Sequence, residues 1–379
     1  MKKIIDDMMV QPGGCETSKF PASFASIWMR IEGITSADQV GRWRFCPYMT
    51  DDFMCCGKCH GDGVKREVDW WSKCQERAHN LFAVVSGISL MQLDLSDPSQ
   101  MEPWWGPNTN RLLDEYDDYV KFTMDFAGYA VKRYTKEADK TAVFDAIKRS
   151  IDADRPVLVN FAPYYDWYAV VGYDDETGRI YGYDRLQGQW APFVASEGYE
   201  DGMFYLSDWY EHMAEAVVIT GKTVPTVTYD DVFRRMIAIL ETMDKKELFK
   251  RSADYMRDDA NFAGYSDDQY KALMERLVMY IGMPIDQRPV TSWCFGALAE
   301  DGALADRRQF FKRISALYDN THDICWIAWR MVGAFGAAPA DECLAGLKLP
   351  VVRRAIAEII DVVRSNDELA VRCLKEMMG

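Results

Sequence analysis

Residues Arg155 to Asp184, RPVLVNFAPYYDWYAVVGYDDETGRIYGYD, decide how the chain folds. Val157, Leu158 and Val159 form one apolar, β-branched run, Tyr168 to Val171 a second, and Ile180 to Tyr183 a third. Between the last two, Asp174-Asp175-Glu176-Thr177-Gly178 is turn chemistry, with short polar side chains followed by a glycine free to take a left-handed conformation. The stretch predicts strand, short connection, strand, tight turn, strand. Arg155-Pro156 suits the opening of the first strand, where a missing N–H costs no ladder bond. Just upstream, Thr141 to Ile151 places Val143, Phe144, Ile147 and Ile151 on one face of a helix.

Further out, Gly128 to Tyr134 alternates as a strand does, and Ala214 to Thr220 reads as a closing strand. Tyr116 to Phe126 suits a helix between them and the start of the chain, and Glu67 to Gly87 suits another. Met91 to Asn110, with Trp104-Trp105, is loop-like; paired tryptophans there wall a cleft or cover the core. Phe24, Ile27, Trp28 and Ile31 recur at i, i+3, i+4, i+7 and predict a helix that Gly33 caps. Pro21 fits near its start. Ahead of that helix stands Gly13-Gly14-Cys15-Glu16-Thr17. A thiol close to a helix N-terminus is stabilised as thiolate by the backbone N–H groups and the dipole, so Cys15 is a candidate nucleophile; a plain buried cysteine is the other reading.

A second cysteine-rich stretch runs from Cys46 through Cys55, Cys56, Cys59 and His60 to Cys74. Cys56-x-x-Cys59-His60 matches c-type haem attachment, but no axial partner stands out. A structural zinc or iron clip drawn from Cys46, Cys55, Cys56, Cys59 and His60 is the better metal reading, because thiolates are soft ligands at these spacings; a set of reduced thiols is the alternative.

The 379 residues exceed one average domain, and 49% apolar composition supports a sizeable core. A net charge of −15 argues against nucleic acid and anionic lipid as partners. No run of 18 apolar residues predicts a membrane span. The N-terminal MKKIIDDMMVQPGGC lacks the apolar stretch of a secretory signal, so the expected compartment is the cytoplasm, where cysteines stay reduced. Thr223 to Thr228 reads as a linker, giving domains 1–224 and 225–379. The second is expected to be all helical: Asp230 to Met243, Lys246 to Met256, Ser266 to Ile281, Arg307 to Met331, Val351 to Asn366 and Glu368 to Met378. Ser266 with Gln269 forms a capping box, and Gly333 fits a helix end. His322, Cys325, Trp326 and Trp329 read as a core stripe.

With these residues in place, the chain resembles the butirosin-biosynthesis-H-like proteins, a papain-clan group related to double-glycine leader peptidases. The features that carry the likeness are Gly-Cys15-Glu-Thr17 before a helix, Ser36-Ala-Asp-Gln-Val-Gly41 after it, and Arg155-Pro-Val followed by Val171-Gly-Tyr-Asp174 and Tyr183-Asp184. The resemblance implies an α+β papain-like cysteine-peptidase fold followed by an all-α domain. It also implies peptide hydrolysis or acyl transfer from a carrier to an amine. In that group a Cys attacks, a His six residues before the Gly-Tyr-Asp glycine is the base, and an Asp or Asn orients the His. Carried over, Cys15 is the nucleophile and Asp184 the orienting residue, while the His position holds Asp166. Gln11 stands four residues before Cys15, closer than the usual six.

An ionised Asp beside a thiol raises its pKa, and it cannot form the thiolate–imidazolium pair. The four histidines are His60, His79, His212 and His322, none within the motif. Three readings follow: a cysteine hydrolase or acyltransferase needing no cofactor, a relative that binds a peptide or small molecule in the same cleft without catalysis, or a metal-clipped protein that self-associates through its helical half.

Overall fold

The computed structural model describes residues 1–6, 8, 18–34, 73–100, 113–162, 166–183, 197–201, 203–282, 287–334 and 338–379. The fold is α+β, with an antiparallel eight-stranded sheet and many helices. The ribbon at its centre forms as its sequence predicts: β3 is Val157–Phe161, β4 is Asp166–Asp174 and β5 is Arg179–Tyr183. β1 (Lys2–Ile4) pairs with the far end of β4, and β2 (Tyr129–Thr135) pairs with β8 (Met213–Lys222). Two short strands, β6 (Gly198–Glu200) and β7 (Met203–Leu206), complete the order β2-β8-β3-β4-β5-β7-β6. Gly172 explains itself here. It sits at a register shift between β4 and β5, and a Cβ on it would meet the Lys3 backbone oxygen at 2.8 Å, so only glycine admits β1 this closely.

Helix α1 is Phe20–Glu32, closed by Gly33 at φ 65°. Its Phe20, Phe24 and Ile27 are fully buried, each worth roughly 1.5–3 kcal/mol. α2 is Lys73–Ser86, α3 Tyr119–Ala127 and α4 Lys140–Asp152. The sheet's alternation sends its two faces into different cores. Val157, Val159, Tyr168 and Val170 pack with Val143 and Ile147 of α4. Leu158, Trp167, Ala169 and Val217 pack with α1 and the helices beyond it.

After a one-turn helix, Trp209–His212 (α5), and strand β8, the chain passes through 223–228 into a half whose described elements are all helical. These are α6 (Tyr229–Lys245), α7 (Leu248–Arg257), α8 (Asp267–Tyr280), α9 (Gln287–Leu298), α10 (Arg308–Val332), α11 (Ala340–Leu347) and α12 (Pro350–Met378). Capping boxes open α6 at Thr228 and α8 at Ser266. His322, Cys325, Trp326 and Trp329 are buried in this half. Two expectations need correction. Val351 to Asn366 and Glu368 to Met378 are one helix, and α9 and α11 have no counterpart in the periodicity reading. The apolar cluster holding Phe20 and Phe24 also contains Ile360 and Leu374, so it draws on residues from both sides of 224/225. Among the described residues no helix is long and apolar enough to cross a membrane.

Candidate functional site

The N-terminus of α1 meets the first residue of β4. Asp166 is nearly buried, 6% exposed, and pairs with Phe161 across β3. Its Oδ1 accepts the Lys19 backbone N–H at 2.8 Å and that of Trp167 at 2.9 Å. Lys19 is the residue just before the helix and has no side-chain cap of its own. A carboxylate from the sheet therefore accepts the N–H of the N-cap residue, as the acidic partner in a capping box does, while Ser18 Oγ accepts the Phe20 N–H at 3.2 Å; the free N–H groups and the dipole there favour negative charge.

The Lys19 side chain is buried as well, 3% exposed. Its Nζ donates to Tyr168 Oη at 2.9 Å and lies 4.3 Å from the centre of that ring. Ser23, one turn into α1, donates to the Trp167 carbonyl at 2.9 Å, so helix and strand are tied at consecutive points. Trp167 Nε1 donates to Tyr119 Oη at 2.7 Å, and Phe20 packs edge-on against both rings at 5.0 and 5.7 Å. Burial, and then Asp114, holds the Tyr119 phenol far above its ordinary value, so it stays protonated.

Beside this junction the α1-facing side of the sheet turns polar. Asn160 of β3 stands opposite Trp167 of β4 and Glu215 of β8. Arg133 of β2 donates to both Glu215 oxygens, one of them at 2.9 Å, and to Asp118, which caps α3. Asp114 is exposed and stands near Glu215 and Arg133. The protein around it and then Glu215 push its carboxyl up to about 6, with Asp118 and Asp117 adding to the rise and Arg133 opposing it.

Of the residues the sequence singled out, the structure brings Asp166 to the α1 N-terminus. Cys15 and Asp184 lie outside the described residues, as do Cys46, Cys55, Cys56, Cys59, His60 and the Trp104-Trp105 pair. The described histidines are engaged elsewhere. His79 Nδ1 sits 3.0 Å from Asn80, His212 pairs with Asp208 at 3.2 Å, and His322 accepts from Trp326 at 3.3 Å. Burial pushes up the thiols of Cys294, Cys343 and Cys373 in the helical half, which leaves them protonated. Sequence reading missed Lys19, Asn160, Asp114 and Glu215. Asn160 had a visible signal, a polar residue inside Val-Leu-Val-Asn-Phe; the others depend on long-range pairing. Compared with known proteins, the chain matches no protein-family model and no curated protein. The site's own chemistry therefore carries the functional argument.

Proposed function

We propose that this protein is a papain-like scaffold that binds a peptide or small molecule in the cleft at the α1 N-terminus and does not use Cys15 as a nucleophile. One observation carries the reading. The position where the papain-type motif has its imidazole holds a carboxylate, and that carboxylate is committed to the Lys19 and Trp167 backbone N–H groups. The same contact supports the papain-type layout, since Cys15 precedes Ser18 by only three residues and Asp166 touches the chain at Lys19. A carboxylate near a thiol disfavours its thiolate, and at this position it leaves the motif without the imidazole that would take the proton. The reading places the protein in the cytoplasm, with its helical half available for self-association.

The test is the reactivity of Cys15 in the full chain. Iodoacetamide labelling of the Cys15 peptide, followed by mass spectrometry across pH, is expected to match an ordinary thiol with a pKa of about 8.5 or higher. Labelling near neutral pH that is much faster than that of a free cysteine would restore the hydrolase or acyltransferase reading. The Asp166→His variant supplies the missing imidazole and is expected to speed labelling of Cys15 at neutral pH.

A further inference from the structure

A cavity of about 400 Å³ opens between α6, the start of α7, the second half of α12 and Gln92. That is within the size range of sites that hold small organic molecules. Buried Leu240, Leu248 and Phe249 and half-buried Val371 give it an apolar lining. Its mouth is charged, but the acids there are already matched. Glu241 pairs with Lys375 at 2.5 Å, Glu247 with Lys250 at 3.1 Å, and Asp244 and Glu368 share Arg364 at 3.1 and 3.3 Å. Asp367, deeper in, is held by Arg288 at 2.7 Å. One lining cation is left over. Arg372 is exposed and makes no ion pair or hydrogen bond with a described residue.

Two further groups on this cavity lack partners. The first hydrogen bond of α7 runs from the Arg251 N–H to the Glu247 carbonyl at 2.8 Å, and Glu247 supplies no side-chain cap. The N–H groups of Leu248, Phe249 and Lys250, residues that all line the cavity, therefore have no acceptor among the described residues. Together with the helix dipole they favour an anion. The other group is Gln92, only 2% exposed. Its Nε2 donates to Asp367 at 2.8 Å, while its Oε1 accepts from no described group and is not sealed in the core. A nearly buried amide oxygen of this kind calls for a donor from the cavity it lines.

We propose that this cavity binds a small carboxylic acid that also carries a neutral N–H donor, in class an N-acylated amino acid. Its carboxylate takes the free N–H groups of α7 and the Arg372 guanidinium. Its amide N–H donates to Gln92 Oε1, and its apolar side chain lies against Leu240, Leu248, Phe249 and Val371. A free amino acid fits less well, because every carboxylate around the cavity already has a cation and none is left for an ammonium. The site is built by the helical half and the chain after α2. It goes beyond the α1 cleft and does not depend on whether Cys15 is reactive.

The probe is N-acetyl-L-leucine, added to the full chain at neutral pH and constant ionic strength and followed by saturation-transfer NMR. Two controls each lack one group: N-acetyl-L-leucinamide has no carboxylate, and isocaproate has no N–H. N-acetyl-L-leucine is expected to bind, and each control to bind about tenfold more weakly or not at all. Arg372→Gln is expected to weaken binding about tenfold, and its melting temperature to stay that of the parent, because the side chain has no partner to lose. Val371→Phe narrows the cavity and is expected to weaken binding at least as much, with a melt that shows the chain still folded. Loss of binding in both folded variants supports the inference. Absence of binding by N-acetyl-L-leucine, equal binding by either control, or unchanged binding in Arg372→Gln and Val371→Phe overturns it.

Discussion

Asp114 shows how one residue's surroundings set its chemistry. Its carboxyl titrates near pH 6 in the folded chain, because protein packs around it and Glu215, Asp118 and Asp117 crowd it with negative charge. The folded-state value lies above the unfolded one, near 3.9, so the bound proton favours folding. That contribution is complete below about pH 4 and is lost as pH rises through about 6. Asp114→Asn removes the ionisation. Its melting temperature is expected to exceed that of the parent at about pH 7.5 and to match it at about pH 4. Melts of both proteins at the two pH values check this, and an equal difference at both would show that the gain is not electrostatic. None of this was legible in the sequence, where Asp114 is one of several acids between Leu113 and Tyr119. Asn160 was legible as an exception to its strand, but what it faces depends on the pairing of β3 with β4 and β8.

At the scale of elements, α1 illustrates a helix whose start is completed from elsewhere in the chain. The amphipathic spacing, Pro21 and Gly33 marked its extent, but beside Ser18 an N-terminal acceptor is Asp166, far along the sequence. Asp166→Ala is expected to cost about 1 kcal/mol, as loss of a helix cap does, and Asp166→Asn clearly less, since its amide oxygen still accepts. Urea unfolding of the two variants separates these outcomes; equal losses would mean that the carboxylate's charge and not its hydrogen bonds holds the helix. Long-range partners also explain the misread break in α12. Asn366-Asp367 looks like a polar interruption, yet the helix continues through it. Asn366 donates to Thr321 at 3.0 Å, while Asp367 accepts from Arg288 and Gln92. Helix α9, with Pro289 near its start and Gly296 near its end, lacks propensity and is held by burial on nearly every side. Strands β1, β6 and β7, of three or four residues, have too little alternation to be seen before their partners are known.

Across the whole molecule, a buried ion pair inside the helical half also holds the chain that follows α2. Arg288, fully buried, forks onto Asp367 at 2.7 and 3.0 Å and donates to the Ser89 carbonyl at 2.8 Å, while Gln92 donates to the same carboxylate at 2.8 Å. The neighbouring apolar cluster is continuous from α1 to α12, and Gly87 at φ 80° lets α2 approach α6 so closely that a Cβ would lie 2.6 Å from Ile239. Two halves that share one core, with the buried pair of one gripping Ser89 and Gln92 of the other, should unfold together. Calorimetry of the full chain is expected to give one transition. Asp367→Ala, which strands the Arg288 charge in the core, is expected to lower the stability of the whole by about 3–5 kcal/mol without splitting that transition. Combining Asp367→Leu with Arg288→Met removes both charges and is expected to recover most of the loss, because the cost lies in the unpaired guanidinium and not in the missing contact. Two resolved transitions, with Asp367→Ala moving only one of them, would mean that the shared core does not couple the halves.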